Sequence, residues 1–127
     1  MMKVTLIAPE GLKEKYLREA ADEYIKRLRG FCDLKIAEFS PFKLPEKPSA
    51  PQIAAALDRE AEQILKKIPE GSRTAALCIE GKMLSSEELA AEIRAADNSG
   101  TPFTFIIGSS HGLAEQVKKN ADIRLSF

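Results

Sequence analysis

The 127-residue sequence has one histidine, two cysteines and no excess charge, with nineteen basic residues against nineteen acidic ones. Each scarcity removes a class of function. With no net charge there is no global field toward nucleic acid or anionic lipid, so any RNA contact must use a local patch. Cys32 and Cys78 have neither a CxxC spacing nor a histidine partner, which argues against a zinc site and against a disulfide framework. Both are expected as buried free thiols of a reducing compartment, and no metal is expected. The opening "MMKVTLIAPEG" holds one short apolar run before a proline, too short for a membrane span or signal peptide. A cytoplasmic location follows as the expectation. GxGxxG and GxxxxGK[ST] are both absent, so neither a dinucleotide fingerprint nor a phosphate-binding P-loop has support.

What remains is a chain with 44% hydrophobic residues, enough for one core and one domain over residues 1–127. "KVTLIA" (3–8) reads as a buried strand stopped by Pro9 and Gly11. From Leu12 to Leu28, apolar Leu12, Tyr16, Leu17, Ala20, Tyr24, Ile25 and Leu28 recur at helical steps and predict one apolar face. "CDLKIAEFS" (32–40) alternates like an edge or half-exposed strand, and the four prolines of "SPFKLPEKPSAP" (40–51) make an extended connection, read as an intradomain loop with a hinge or linker as the alternative. Residues 52–68 form a helix with Ile53, Ala56, Leu57, Ala61, Ile64, Leu65 and Ile68 on one side. "RTAALCIEG" (73–81) is a strand covered on both faces, and Ser85 with Glu88 makes a capping box for the helix after it. "TPFTFIIG" (101–108), "LAEQVKKNA" (113–121) and "IRLSF" (123–127) complete a βαβαβαβαβ order. That order predicts an α/β fold: a mainly parallel five-stranded sheet with helices on both faces.

In open α/β sheets, ligands lie beyond the carboxyl ends of strands where the winding direction reverses. Two loops meet that condition: "IEGKMLSSEE" after the third strand and "IGSSHG" after the fourth. Gly81, Gly108 and Gly112 would permit positive φ and close main-chain approach, which suits a nucleotide-like ligand or simply a tight turn. Lys82 could meet a phosphate, but a lone lysine beside a turn is commonly just solvated. His111 could move a proton near neutral pH, yet it has no recognisable carboxylate or metal partner and reads as incidental. "SSHG" does not match a nucleophile elbow and has no second histidine as base, so a hydrolase triad has no support. In the first helix, Lys13, Lys15, Arg18, Lys26, Arg27 and Arg29 are interleaved with acids. They read as a solvated face on which Lys26, Arg27 and Arg29 cluster enough to touch phosphates.

"LCIEGKMLSSEELA" (77–90), "FTFIIGSSHGL" (103–113) and the closing "LSF" (125–127), with helices at 12–28 and 57–65, resemble the RlmH-type ribosomal RNA methyltransferases. These belong to the SPOUT, or α/β-knot, superfamily. The likeness runs from Lys3 to Phe127. It implies transfer of the methyl group of S-adenosylmethionine to N3 of a pseudouridine in 23S rRNA, by a homodimer acting on the ribosome. It further implies that Leu77, Gly108 and Phe127 line the cofactor pocket; no catalytic residue is assigned. Methyl transfer from a sulfonium needs alignment and removal of one proton, which suits a sequence without an acid–base dyad.

Two departures from that family stand out. Ser109 occupies a position that usually holds a second glycine, and family members continue for a few dozen residues past the position of Phe127. The expectation is therefore a C-terminally short domain with an incomplete knot, an incomplete active site, and altered association or stability. Two rival readings follow: a cofactor-free RNA- or ribosome-binding fragment marked by the basic cluster of the first helix, or an unknotted derivative kept for its fold.

Overall fold

Strands and helices alternate along the whole chain because each apolar strand is followed by a turn and then an amphipathic segment. The computed structural model describes residues 2–10 and 15–126. In chain order the elements are β1 (Lys3–Pro9), α1 (Lys15–Leu28), β2 (Asp33–Phe39), α2 (Ala50–Lys67) and β3 (Arg73–Met83). They continue with α3 (Ser86–Asn98), β4 (Phe103–Ile106), α4 (Glu115–Asn120) and β5 (Ile123–Ser126). The strands form a single five-stranded sheet in the order β2-β1-β4-β3-β5. Every pairing in it is parallel, as the alternation predicts.

The order fixes where the helices go. Steps β2 to β3 and β4 to β5 run toward the β5 edge, whereas β1 to β2 and β3 to β4 run toward the β2 edge. Right-handed crossovers must then place α2 and α4 on one face and direct α1 and α3 to the other. The cores follow that division. Ala61 and Ile64 of α2 and Val117 of α4 bury Ile7, Phe39, Ala76 and Ile106. On the opposite face Ala96 and Ile93 of α3 cover Ala75, Phe103 and Phe105. Phe103 is fully buried, and truncating such a residue to alanine costs about 3–5 kcal/mol.

Helix starts are chemically specified. Ser49 caps α2 through a reciprocal pair with Gln52, with Pro51 in the first turn, where a missing donor costs nothing. This cap starts α2 at Ala50, two residues before the expected start at 52. The predicted Ser85–Glu88 box is present, with both hydrogen bonds at 3.0 Å.

Three expectations need correction. The stripe of α1 is not buried: Tyr16 and Tyr24 are about two-thirds exposed, and only Ala21 and Ile25 are half-buried among the described side chains of this helix. Periodicity specifies a stripe, but burial needs close seating on the sheet, and Val4, Leu6, Leu34 and Ile36 of β1 and β2 are themselves only half-buried. Leu12, Lys13 and the Leu17 side chain lie outside the described residues. Second, β3 lies between β4 and β5 but is covered on both faces only in its first half; it runs on to Met83, with Ile79 96% and Met83 74% exposed. Third, Cys32 and Cys78 are free thiols but only half-buried: Cys32 lies in the turn just before β2, and Cys78 lies where the covered part of β3 ends. Partial burial raises both thiol pKa values, helped by Asp33 beside Cys32 and Glu80 beside Cys78.

Candidate functional site

β3 and β4 are neighbours paired from Arg73↔Phe103 to Ala76↔Ile106. Leu77 and Gly108 therefore lie just past the last paired residues of these two strands, Gly108 beyond the end of β4 and Leu77 inside β3, which runs on to Met83. Beyond that last pair the two strands part. Leu77 stays aligned with Leu125 of β5, while the Ile107 amide turns the other way and donates to the Ile7 carbonyl of β1 at 2.8 Å. The ladder between the two strands ends here, a gap in the hydrogen bonding beyond which their connections leave toward opposite edges of the sheet. Amide and carbonyl groups freed from a ladder can hydrogen-bond an adenine edge or a carboxylate, so the donor set here fits an adenosyl group.

The loop after β4 closes on itself. The Gly112 amide donates to the Ser109 carbonyl at 2.8 Å, and Gly112 takes φ +86°, a conformation glycine adopts without strain. Gly108 has ordinary φ, and its constraint is space: a Cβ there would run into the Gly112 carbonyl. A Cβ on Gly81 would lie 2.8 Å from the Leu125 backbone, so that glycine allows β3 to press against β5. Of the three glycines, only Gly112 meets the expectation of positive φ.

Ser109 neither crowds the gap nor stands idle. Its hydroxyl donates at 2.6 Å to Oε1 of Glu60, a carboxylate on α2 that is only 3% exposed. Oε2 of the same group accepts from the Phe42 amide at 2.9 Å. The Gln63 side chain pairs with both backbone groups of Ser40 at 3.0 Å. The Arg59 guanidinium lies over the Phe42 ring, 5.3 Å from its centre. Two loops thus converge on one helix. The sequence held one signal for Glu60: an acid at a helical step between Ala56 and Ile64, on the apolar stripe of α2.

On the other side of the gap, Lys118 of α4 pairs with Glu80 and lies 3.7 Å from Glu115. The hydrogen bond from Lys118 holds Glu80 below the ordinary glutamate pKa, and the same bond raises that of Lys118. Lys82 and His111 are exposed. So are Lys26, Arg27 and Arg29, with Arg27 paired to Glu23 at 3.2 Å. Phe127, also expected at the pocket, lies outside the described residues. Among the described residues no cluster of histidine, cysteine, aspartate and glutamate could hold a metal. No described helix is long and apolar enough to cross a membrane.

Two clefts open at the opposite, amino-terminal ends of the strands. One of about 460 Å³ is lined by Arg73, Glu92 and Asp122, and one of about 600 Å³ by Lys3, Asp33 and Lys35. Both lie at the other end of the sheet from the glycine loop, and neither is lined by Leu77 or Gly108.

The comparisons with known proteins agree with this fold. A family model described as "Predicted SPOUT methyltransferase" matches residues 2–127. A protein named ribosomal RNA large subunit methyltransferase H from Alkaliphilus oremlandii (strain OhILAs) is 45% identical over 127 residues, covering 99% of this chain and 80% of the relative. Proteins of the same name from Lactococcus lactis subsp. cremoris (strain SK11) and Streptococcus thermophilus (strain CNRZ 1066) are 40% and 43% identical, with the same coverage.

Proposed function

Because this chain belongs to the SPOUT methyltransferase family, we propose that it moves the methyl group of S-adenosylmethionine to 23S rRNA of the large ribosomal subunit. The acceptor in this reading is N3 of a pseudouridine, and the working form is a cytoplasmic homodimer built on one domain. The observation that supports it is that Leu77 and Gly108 lie just past the last β3–β4 pair, where the two strands part toward their outer neighbours.

The bound donor supplies a methyl group already activated on a sulfonium. The chain's own contribution is position. Main-chain groups at Leu77 and at Gly108 hold the adenosyl portion by hydrogen bonds, and the closed loop from Gly108 to Gly112 fixes the wall they belong to. Holding donor and acceptor in line removes the entropy of a bimolecular encounter. Loss of the acceptor's imide proton is the one acid–base event needed. Phe127 enters this reading as a third pocket residue.

The test is transfer of labelled methyl from S-adenosylmethionine to large ribosomal subunits lacking the modification, alongside calorimetric titration with the donor. Labelled 23S rRNA, with micromolar donor binding, is the expected result. Binding to ribosomes without donor binding or transfer would favour an RNA-binding fragment and overturn the proposal.

A further inference from the structure

A buried carboxylate is tolerated only where hydrogen bonds replace its water. Glu60 has two such bonds, and neither comes from its own helix. One partner, the Phe42 amide, belongs to the proline-rich connection after β2, and the other, the Ser109 hydroxyl, belongs to the loop after β4. We propose that Glu60 is a positioning residue: through Ser109 it sets the 108–112 loop against α2, and through Phe42 it couples that loop to segment 40–42. This inference rests on the reading of the 108–112 loop as a wall of the methyl-donor site.

The argument is one of restraint. Inside the loop, the Gly112–Ser109 bond and the contact between Gly108 and Gly112 define its shape. Neither defines its orientation toward the rest of the molecule. Orientation comes from the Ile107–Ile7 bond at one end, from the buried Leu113 and Ala114 at the other, and from Ser109–Glu60 in between. Glu60 itself cannot swing, because its other oxygen is held by Phe42. Ser40 bonds twice to Gln63, one helical step from Glu60. A disturbance of segment 40–42 therefore has a direct route to the loop through the Glu60 side chain. The Ser109 hydroxyl is the group that makes this link possible.

The experiment compares the 127-residue chain with Glu60→Ala, Glu60→Gln, Ser109→Ala and the Glu60→Ala/Ser109→Ala double variant. Amide exchange is followed at 109–113 without donor, and S-adenosylmethionine affinity is measured by calorimetry. Loss of one such hydrogen bond predicts about tenfold faster exchange at Gly112 and Leu113, and about tenfold weaker donor binding in Glu60→Ala. Glu60→Gln, which keeps hydrogen-bonding capacity at both atoms, stays within about threefold of the parent. The double variant is no worse than Glu60→Ala, because both changes cut the same link. A lower Tm with unchanged exchange at 109–113 and unchanged affinity in the folded protein would make Glu60 merely structural and overturn the proposal. If Glu60→Ala does not fold, Ser109→Ala alone decides, since it leaves the Phe42 bond in place; unchanged exchange there also overturns it. A parent chain that binds no donor sinks the functional reading, while exchange at 109–113 still decides the tether.

Discussion

Thr74 and Asp122 are joined by three hydrogen bonds. The Thr74 amide and hydroxyl donate to one Asp122 oxygen at 2.8 and 3.3 Å, and the Asp122 amide donates back to the Thr74 hydroxyl at 3.1 Å. This clasp sits where β5 begins to pair with β3 at Ala75↔Ile123, and so sets the register of the last strand. Asp122→Ala leaves the amide of buried Thr74 without its acceptor and should cost about 1–3 kcal/mol in chemical denaturation. Asp122→Asn keeps an acceptor and should cost clearly less. Equal losses would refute the clasp.

Gly108→Ala forces a methyl group against the Gly112 carbonyl. The loop must shift, at a cost of about 1–3 kcal/mol, with weaker binding of S-adenosylmethionine. Gly30→Ala serves as the control, because a Cβ there meets nothing within 4 Å; it should stay within about 0.5 kcal/mol of the parent. Thermal denaturation and donor titration of both variants check the contrast.

Glu80 titrates below the ordinary glutamate value and Lys118 above the ordinary lysine value, each chiefly because of their mutual hydrogen bond. A lowered carboxylate pKa contributes stability that is present above the unfolded value of about 4.3 and disappears as pH falls through the folded one. A raised lysine pKa contributes stability that is complete below the unfolded value of about 10.4 and disappears as pH rises through the folded one. The pair should therefore hold across the neutral range and open at both extremes. In Lys118→Ala, an NMR titration of Glu80 should return to ordinary glutamate behaviour, and an unmoved titration would exclude this pairing in solution.

Burial, aided by Glu80, raises the Cys78 thiol pKa, which leaves little thiolate at neutral pH. Alkylation of Cys78 should be slower than that of a free thiol at pH 7 and should speed up only at distinctly alkaline pH. Because Cys78 follows Leu77 at the gap, saturating S-adenosylmethionine should slow it further. Mass-spectrometric rates with and without donor measure both effects.

The parallel sheet, its five strands and the Ser85–Glu88 box were legible because each is written locally, in runs of β-branched residues, in helical steps and in a four-residue cap. Strand order is not local. That β3 and β4 would lie side by side, bringing Leu77 and Gly108 together, depends on crossovers spanning whole helices. Glu60 looked like one acid among several in "LDREAEQ"; its burial depends on Ser109, which arrives from 49 residues away. The reading of α1 failed in the opposite direction: the apolar stripe was evident, but a stripe states only what a helix could bury. β3 is legible to Gly81, two residues short of Met83; what its apolar run does not reveal is that its far half is exposed, held in the sheet at its end by β5.

One irregularity has a wider consequence. Leu77 and Lys82 both face Leu125, so the four residues 78–81 form a detour outside the ladder while β3 is held before and after it. Its length is not tied to the spacing of either flank, and highly exposed Ile79 rides on it. Exchanges at 78–80 remodel the rim of the crevice while Gly81, pressed against the β5 backbone, and the pairings at Leu77 and Lys82 keep the scaffold's alignment, offering evolution or an engineer an adjustable edge on an otherwise fixed frame.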